Sequence, residues 1–208
     1  QWDKALASAL SRASTTASAT TPTTSLRVAS EPKLIHLLEQ TRSIAGLDEG
    51  LRLVFRIMVS GAGRWPLFIH GRAGSGKTCA ALCLLDHAGG IYETAAEWPQ
   101  KVLAAAKGQF AVLREERSVQ VTETMLWDGI RRASLVVLDD VATRDRVSDW
   151  AYECVKRLID LRQGQPLLVT SNLNLKGIEA IYDDRIASRL AGGTVFELRT
   201  SDRRISRK

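Results

Sequence analysis

The 208-residue chain is 45% hydrophobic and 25% charged, the balance of a soluble α/β domain with extensions rather than of a fibrous or low-complexity chain. Its apolar stretches are broken by charge well short of the ~18 residues a membrane helix needs. Three cysteines, Cys79, Cys83 and Cys154, fit a reducing compartment without a disulfide framework, so a cytoplasmic protein with no membrane partner is expected. The net charge of +6 is uneven, because residues 199–208 carry five basic side chains against Asp202 alone.

The chain opens on Gln1, and no secretory pattern follows. Trp2, Leu6 and Leu10 recur at helical spacing, a candidate partner-docking helix over 2–10. Residues 11–25 are nearly all Ser, Thr and Ala, a linker composition that buries too little apolar area to order itself. Residues 1–29 are therefore expected to be a flexible segment, 30–200 a folded domain with leading helices, and 201–208 a basic tail. Ser30 and Pro32 open a first helix, and Leu51, Val54, Phe55 and Met58 mark the inner face of a second. Strands are then expected at Pro66–His70, Gly90–Glu93, Leu135–Leu138, Leu167–Ser171 and Thr194–Leu198, with helices between them, the clearest over Ser148–Arg162. Such alternation implies a mostly parallel sheet covered on both faces. Trp98, Trp127 and Trp150 fall in helical patterns and read as core residues.

The segment GRAGSGKT at 71–78 matches G-x-x-x-x-G-K-[ST], between an apolar strand and a helix. Gly71, Gly74, Ser75 and Gly76 bring backbone N–H groups and a helix N-terminus to the β- and γ-phosphates of a nucleotide. Lys77 is expected on those phosphates, and the Thr78 hydroxyl on Mg²⁺. In SLVVLDD (134–140) two carboxylates emerge at the end of a buried strand, with Asp139 the Mg²⁺ partner and Asp140 placed to polarise water. PLLVTSN (166–172) is a further buried strand; between the other two, it would point Asn172 at the γ-phosphate. Arg185 and Arg189 share a face of a helix ended by Gly192 and Gly193, and suit either salt bridges to Asp183 or Asp184 or insertion into a neighbour's nucleotide site. Cys79, Cys83 and His87 recur every four residues, but eight helical residues rise about 12 Å, too far for one metal to bridge.

The series GRAGSGKT, VVLDDV, LVTSNL and RIASRLAGG…VFEL resembles the AAA+ ATPases of the bacterial replicative-helicase loader (DnaC) family and the IstB-type transposition helpers, over about residues 45–204. The resemblance implies an AAA+ (ASCE) P-loop fold: a five-stranded parallel sheet, ordered 5-1-4-3-2, between helices. It makes Lys77 and Thr78 the Walker A residues, Asp139 and Asp140 Walker B, Asn172 sensor 1, and Arg189, with Arg185 as companion, an arginine finger. ATP and Mg²⁺ are the implied cofactors. Subunits would assemble head to tail as a ring or spiral on single-stranded or duplex DNA, with a replicative helicase as partner.

This sequence departs from the family in its short segment before the domain, in the absence of room for a C-terminal lid, and in Asp140 where many relatives use Glu. Arg203 or Arg204 would have to replace any contact from the lid. The shorter acid implies slow hydrolysis. Arg131, Arg132, Arg144 and Arg146 are expected to line a DNA-facing surface through salt-sensitive phosphate contacts. The reading that follows is an ATP-driven loader of a replicative helicase. The alternatives are an IstB-type helper of a transposase on target DNA, and an ATP-binding scaffold with negligible turnover.

Overall fold

The computed structural model describes residues 48–114, 117–142 and 146–199. The docking helix at 2–10, the Ser/Thr-rich stretch, the helix opened by Ser30, Arg144 and the basic tail with Arg203 and Arg204 lie outside these residues. Helix α1 (Glu49–Val59) starts where the Asp48 carboxylate accepts the Leu51 N–H, and it buries Leu51, Phe55 and Met58. After it come β1 (Leu67–His70), α2 (Lys77–Ala88), β2 (Ile91–Thr94), α3 (Trp98–Ala106), β3 (Ala111–Arg114), β4 (Arg117–Gln120), α4 (Glu123–Arg132) and β5 (Val136–Val141). The order continues with α5 (Asp149–Leu161), β6 (Leu167–Ser171), α6 (Leu175–Ile181), α7 (Asp184–Ala191) and β7 (Thr194–Glu197).

Five strands form one sheet in the spatial order β2-β5-β6-β1-β7, with every pairing parallel. Counting only the strands of this sheet gives 5-1-4-3-2, the order the resemblance implies. The antiparallel hairpin β3–β4 was not expected and adds two strands outside it. The sequence between its strands, REER, holds no Gly, Pro or Asn to signal a reversal, and the strands are too short for a clear alternation.

The sheet works because successive strand residues face opposite ways. Phe68, Val136, Leu138, Leu167 and Val169 pack with Trp98, Trp127, Val155, Leu158 and Leu190 on one face. Leu67, Ile69, Val137 and Leu168 pack with Phe55, Leu82 and Leu84 on the other. Both faces are covered, so the strands read as continuous apolar runs. Each large side chain fully buried here contributes about 1.5–3 kcal/mol.

Several expected boundaries move by a residue or more. The helix expected over Ser148–Arg162 runs from Asp149 to Leu161, with the Ser148 hydroxyl accepting the Ala151 N–H at its start. Leu198 lies beyond β7, although it stays buried and its N–H donates to the His70 carbonyl at 2.7 Å. Gly192 ends α7 at φ −66 rather than in the left-handed region. A side chain at Gly193 would lie 2.0 Å from the Pro66 carbonyl oxygen, so that glycine serves close approach instead. Trp98 and Trp127 are core residues in edge-to-face contact at 5.0 Å. Trp150 is not: it is 43% exposed, and its indole N–H donates to the Pro99 carbonyl.

Candidate functional site

The strand order places the C-terminal ends of β1, β6 and β5 side by side, and the residues singled out in the sequence lie there. The chain leaves β1 through Gly71, Gly74 and Gly76, all with positive φ. Gly76, at φ 98, caps α2 in a conformation that other residues adopt only at a cost. Lys77 is then the first residue of α2, whose free N–H groups and dipole favour an anion at the loop. Ser75 is 1% exposed and lies within the same turn.

The Lys77 side chain is buried against this loop. Its ammonium donates to the Gly71 carbonyl at 2.9 Å, the Arg72 carbonyl at 2.9 Å and the Asn172 amide oxygen at 2.8 Å. Three donors thus meet three neutral acceptors. An anionic oxygen is a stronger partner for the same ammonium than any of them. Asn172 reaches Lys77 because β6 lies between β1 and β5 and ends one residue earlier.

Asp139 is 3% exposed and receives three hydroxyl groups. Its Oδ2 accepts from Thr78 Oγ1 at 2.9 Å and from the Tyr92 hydroxyl at 2.6 Å, and its Oδ1 accepts from Thr170 Oγ1. Burial, followed by the charge of Asp139, pushes the Tyr92 phenol far above its ordinary range, which keeps it a donor. Thr78 and Asp139 offer hard oxygen donors suited to Mg²⁺. Their 2.9 Å separation is close to the roughly 3.0 Å between adjacent corners of an octahedron with bonds near 2.1 Å. Among the described residues no three His, Cys, Asp or Glu side chains gather around a metal position, Cys79 and Cys83 included. The fit is therefore to a cation held by one or two protein oxygens plus phosphate and water, as Mg²⁺ usually is.

Asp140 has a different setting. It is exposed, sits at φ 62, and belongs to a bulge where β5 shifts register against β6 between Leu138 and Val141. Two hydroxyls of β6 replace the lost ladder bonds. The Asp140 N–H donates to Thr170 Oγ1 at 3.0 Å, and Ser171 Oγ donates to the Val141 carbonyl at 2.6 Å. The bulge brings Asp140 to the wall of a cavity of about 350 Å³ lined also by Pro99, Leu103, Arg146, Trp150 and Tyr182. Tyr92, Thr170 and Ser171 are neighbours of these acids that motif reading missed. The one signal for Thr170 and Ser171 was the pair of hydroxyls in LVTSN, opposite an acidic strand end; Tyr92 had none.

The arginines lie elsewhere. Helix α7 carries the chain from the end of β6 back to the start of β7, so its last turn, with Arg189, sits at the N-terminal edge of the sheet. Arg189 ion-pairs there with Asp160, in the last turn of α5, and donates to the Arg185 carbonyl. The ion pair is with Asp160, not with the Asp183 or Asp184 weighed from the sequence; Asp183 instead caps α7 and accepts from the Tyr152 hydroxyl. Arg185 is exposed. Neither arginine hydrogen-bonds or ion-pairs with the phosphate loop among the described residues. The expected basic surface is also divided. Arg131 and Arg132 end α4 at the N-terminal edge and pair with Asp128, whereas Arg146 is exposed beyond β5 at the opposite edge.

Comparison with known proteins agrees with this architecture. No family model matches the chain. The chromosomal replication initiator DnaA of Bradyrhizobium sp. strain BTAi1 is 32% identical over 143 residues, covering 65% of this chain and 27% of DnaA. The chain thus spans about a quarter of the length of that curated relative. Among solved structures, DnaA bound to AMPPCP and single-stranded DNA aligns with TM-score 0.58 at 20% identity, over 74% of this chain and 48% of that one. DnaI aligns with TM-score 0.58 at 16% identity, over 82% of this chain and 95% of that one. The DnaC helicase loader aligns with TM-score 0.52 at 17% identity, over 64% and 77%. The chain has the AAA+ P-loop fold, which it shares with DnaA, the DnaC helicase loader and DnaI.

Proposed function

We propose that the chain is an ATP-driven switch of DNA replication that assembles head to tail on single-stranded DNA and loads a replicative helicase. The observation that carries this reading is the division of the site between two edges of the sheet. Lys77, Thr78, Asp139 and Asn172 meet at the C-terminal edge of the sheet, while Arg189 is held by Asp160 at the N-terminal edge. An arginine so placed serves a nucleotide only in an adjoining subunit, and repeating that contact gives a ring or spiral.

In this reading Lys77 leaves its neutral acceptors for the β- and γ-phosphates of ATP, and Thr78 with Asp139 holds Mg²⁺, which spreads the developing charge when bound. Asp140 polarises the attacking water and Asn172 senses the γ-phosphate. Arg189, with Arg185 beside it, supplies charge from the neighbour. Hydrolysis is slow, well below ~10 s⁻¹, because the Asp140 carboxylate is short and lies on a bulge facing the cavity. The exposed Arg146 contributes salt-sensitive contacts to DNA phosphates.

Sedimentation with a nonhydrolysable ATP analogue, with and without single-stranded DNA, tests the reading on the wild type and Arg189→Ala. Assembly that needs nucleotide and is lost in the variant supports it. A monomer under every condition contradicts it. Cross-linking of the assembled protein to a replicative helicase, rather than to a transposase, tests the partner.

A further inference from the structure

Asp139 is more crowded than a metal-binding carboxylate needs to be. A carboxylate offers about four lone-pair positions, two on each oxygen. Oδ2 already accepts from both Thr78 and Tyr92, so both of its positions are taken, and Oδ1 accepts from Thr170. Any cation, or water bound to one, that approaches Oδ2 has to displace a donor.

The three donors are not equally free to leave. Thr170 is 1% exposed and fixed from both sides, since its oxygen also accepts the Asp140 N–H across the bulge. Thr78 is the expected cation ligand and stays in place whichever way its proton points. Tyr92 is on β2, the edge strand of the sheet. Its ring is only partly buried, against the cluster around α2. Its hydroxyl has Asp139 as its sole hydrogen-bond partner among the described residues. It is the one donor that can turn away without breaking a second hydrogen bond.

We infer that Tyr92 competes with the cation for Asp139 and thereby sets the Mg²⁺ concentration at which the site takes up its nucleotide. Tyr92 is on this view a positioning residue. It keeps a buried carboxylate oriented and hydrogen-bonded while the cation is away, and raises the threshold for cation entry. The inference rests on the nucleotide-binding reading above.

The test is a Mg²⁺ titration of the full chain with a fluorescent ATP analogue, for the wild type and Tyr92→Phe, with EDTA as the metal-free arm. The variant keeps the ring, so the packing of β2 is retained. The expected result is a Mg²⁺ half-saturation roughly tenfold lower in Tyr92→Phe, the size of one hydrogen bond to a charged group, with metal-free affinity unchanged. Near-ultraviolet difference spectra give a second readout. Adding Mg²⁺ with ADP shifts the tyrosine band of the wild type more than that of Tyr92→Phe, and the difference isolates Tyr92 because Tyr152 and Tyr182 are present in both. An equal or higher half-saturation in the variant, or an unshifted wild-type spectrum, overturns the inference alone. A wild type with no Mg²⁺-dependent nucleotide binding overturns the underlying reading and the inference with it.

Discussion

Lys77 and Arg189 are both cations at the end of a helix, yet their surroundings differ in kind. Lys77 opens α2 at the C-terminal edge of the sheet, 7% exposed, with its ammonium donating to neutral acceptors from the loop after β1 and from the residue after β6. Arg189 closes α7 at the N-terminal edge, its side chain 29% exposed and tied to a carboxylate that is itself 35% exposed. The first cation is embedded in a site that one chain builds by itself. The second is held by one half-buried ion pair rather than by a network of neutral acceptors, and among the described residues its outer guanidinium nitrogen reaches only the Arg185 carbonyl. On the proposed reading, the cation inside one chain's hydrogen-bond network is the fixed half of the site, and the half-buried ion pair at the other edge is the half offered to a neighbour.

Substitution at the two cations should separate the halves. Arg189→Ala is expected to turn over about 10³-fold or more slowly than the assembled wild type, the range of such fingers, while a dilute subunit binds nucleotide as before. Lys77→Ala is expected to lower turnover by at least about 10²-fold and to remove nucleotide binding even in the dilute subunit. Equilibrium binding beside steady-state hydrolysis checks both. Equal loss of binding in the two variants would dissolve the distinction.

A smaller effect is expected at Asp160. Asp160→Asn loosens Arg189 while leaving Lys156, whose ammonium is 3.8 Å from Asp160, a polar neighbour. Stability should change by less than about 1 kcal/mol, and the protein concentration needed for nucleotide-dependent assembly should fall a few-fold. A rise in that concentration would mean that Asp160 aims Arg189 at the neighbour rather than holding it back.

The smallest expected effect is on pH dependence at the phosphate-loop edge. His70, at the end of β1, has its pKa lowered by burial, partly offset by Glu197 and then reinforced by Lys77. The unfolded chain therefore binds the proton more readily than the folded one, so stability rises with pH through this window. It is complete above the unfolded value of 6.5 and declines as pH falls below it. Solvent screening of a half-exposed group keeps the change below about 1 kcal/mol. Thermal melting from neutral to mildly acid pH should show the decline in the wild type and a flatter profile in His70→Asn.

The same contrast explains what the sequence could disclose. The parallel sheet was readable because its strands are buried on both faces and appear as apolar runs. The phosphate loop was readable because Gly71 to Thr78 are contiguous. Tyr92 and Thr170 were not, since they reach Asp139 across 47 and 31 residues and only the strand order joins them. The bulge at Asp140 was hidden for the same reason, as it depends on hydroxyls of a strand that follows later. Composition grouped Arg131, Arg132 and Arg146 into one basic surface, but β5 runs between them and sends them to opposite edges. Trp150 fitted a helical stripe, yet it lies at the mouth of a cavity where its indole needs a carbonyl partner. Charge and apolar character are local properties, whereas the edge of a sheet is not.

Mixing two inactive variants tests the split site most directly. Lys77→Ala retains Arg189, and Arg189→Ala retains the phosphate loop. If the two halves act between subunits, neither variant hydrolyses ATP alone, and an equimolar mixture recovers a substantial part of the wild-type rate. A mixture no more active than its components would place Arg189 outside the reaction or within its own subunit's site, and would contradict the head-to-tail switch.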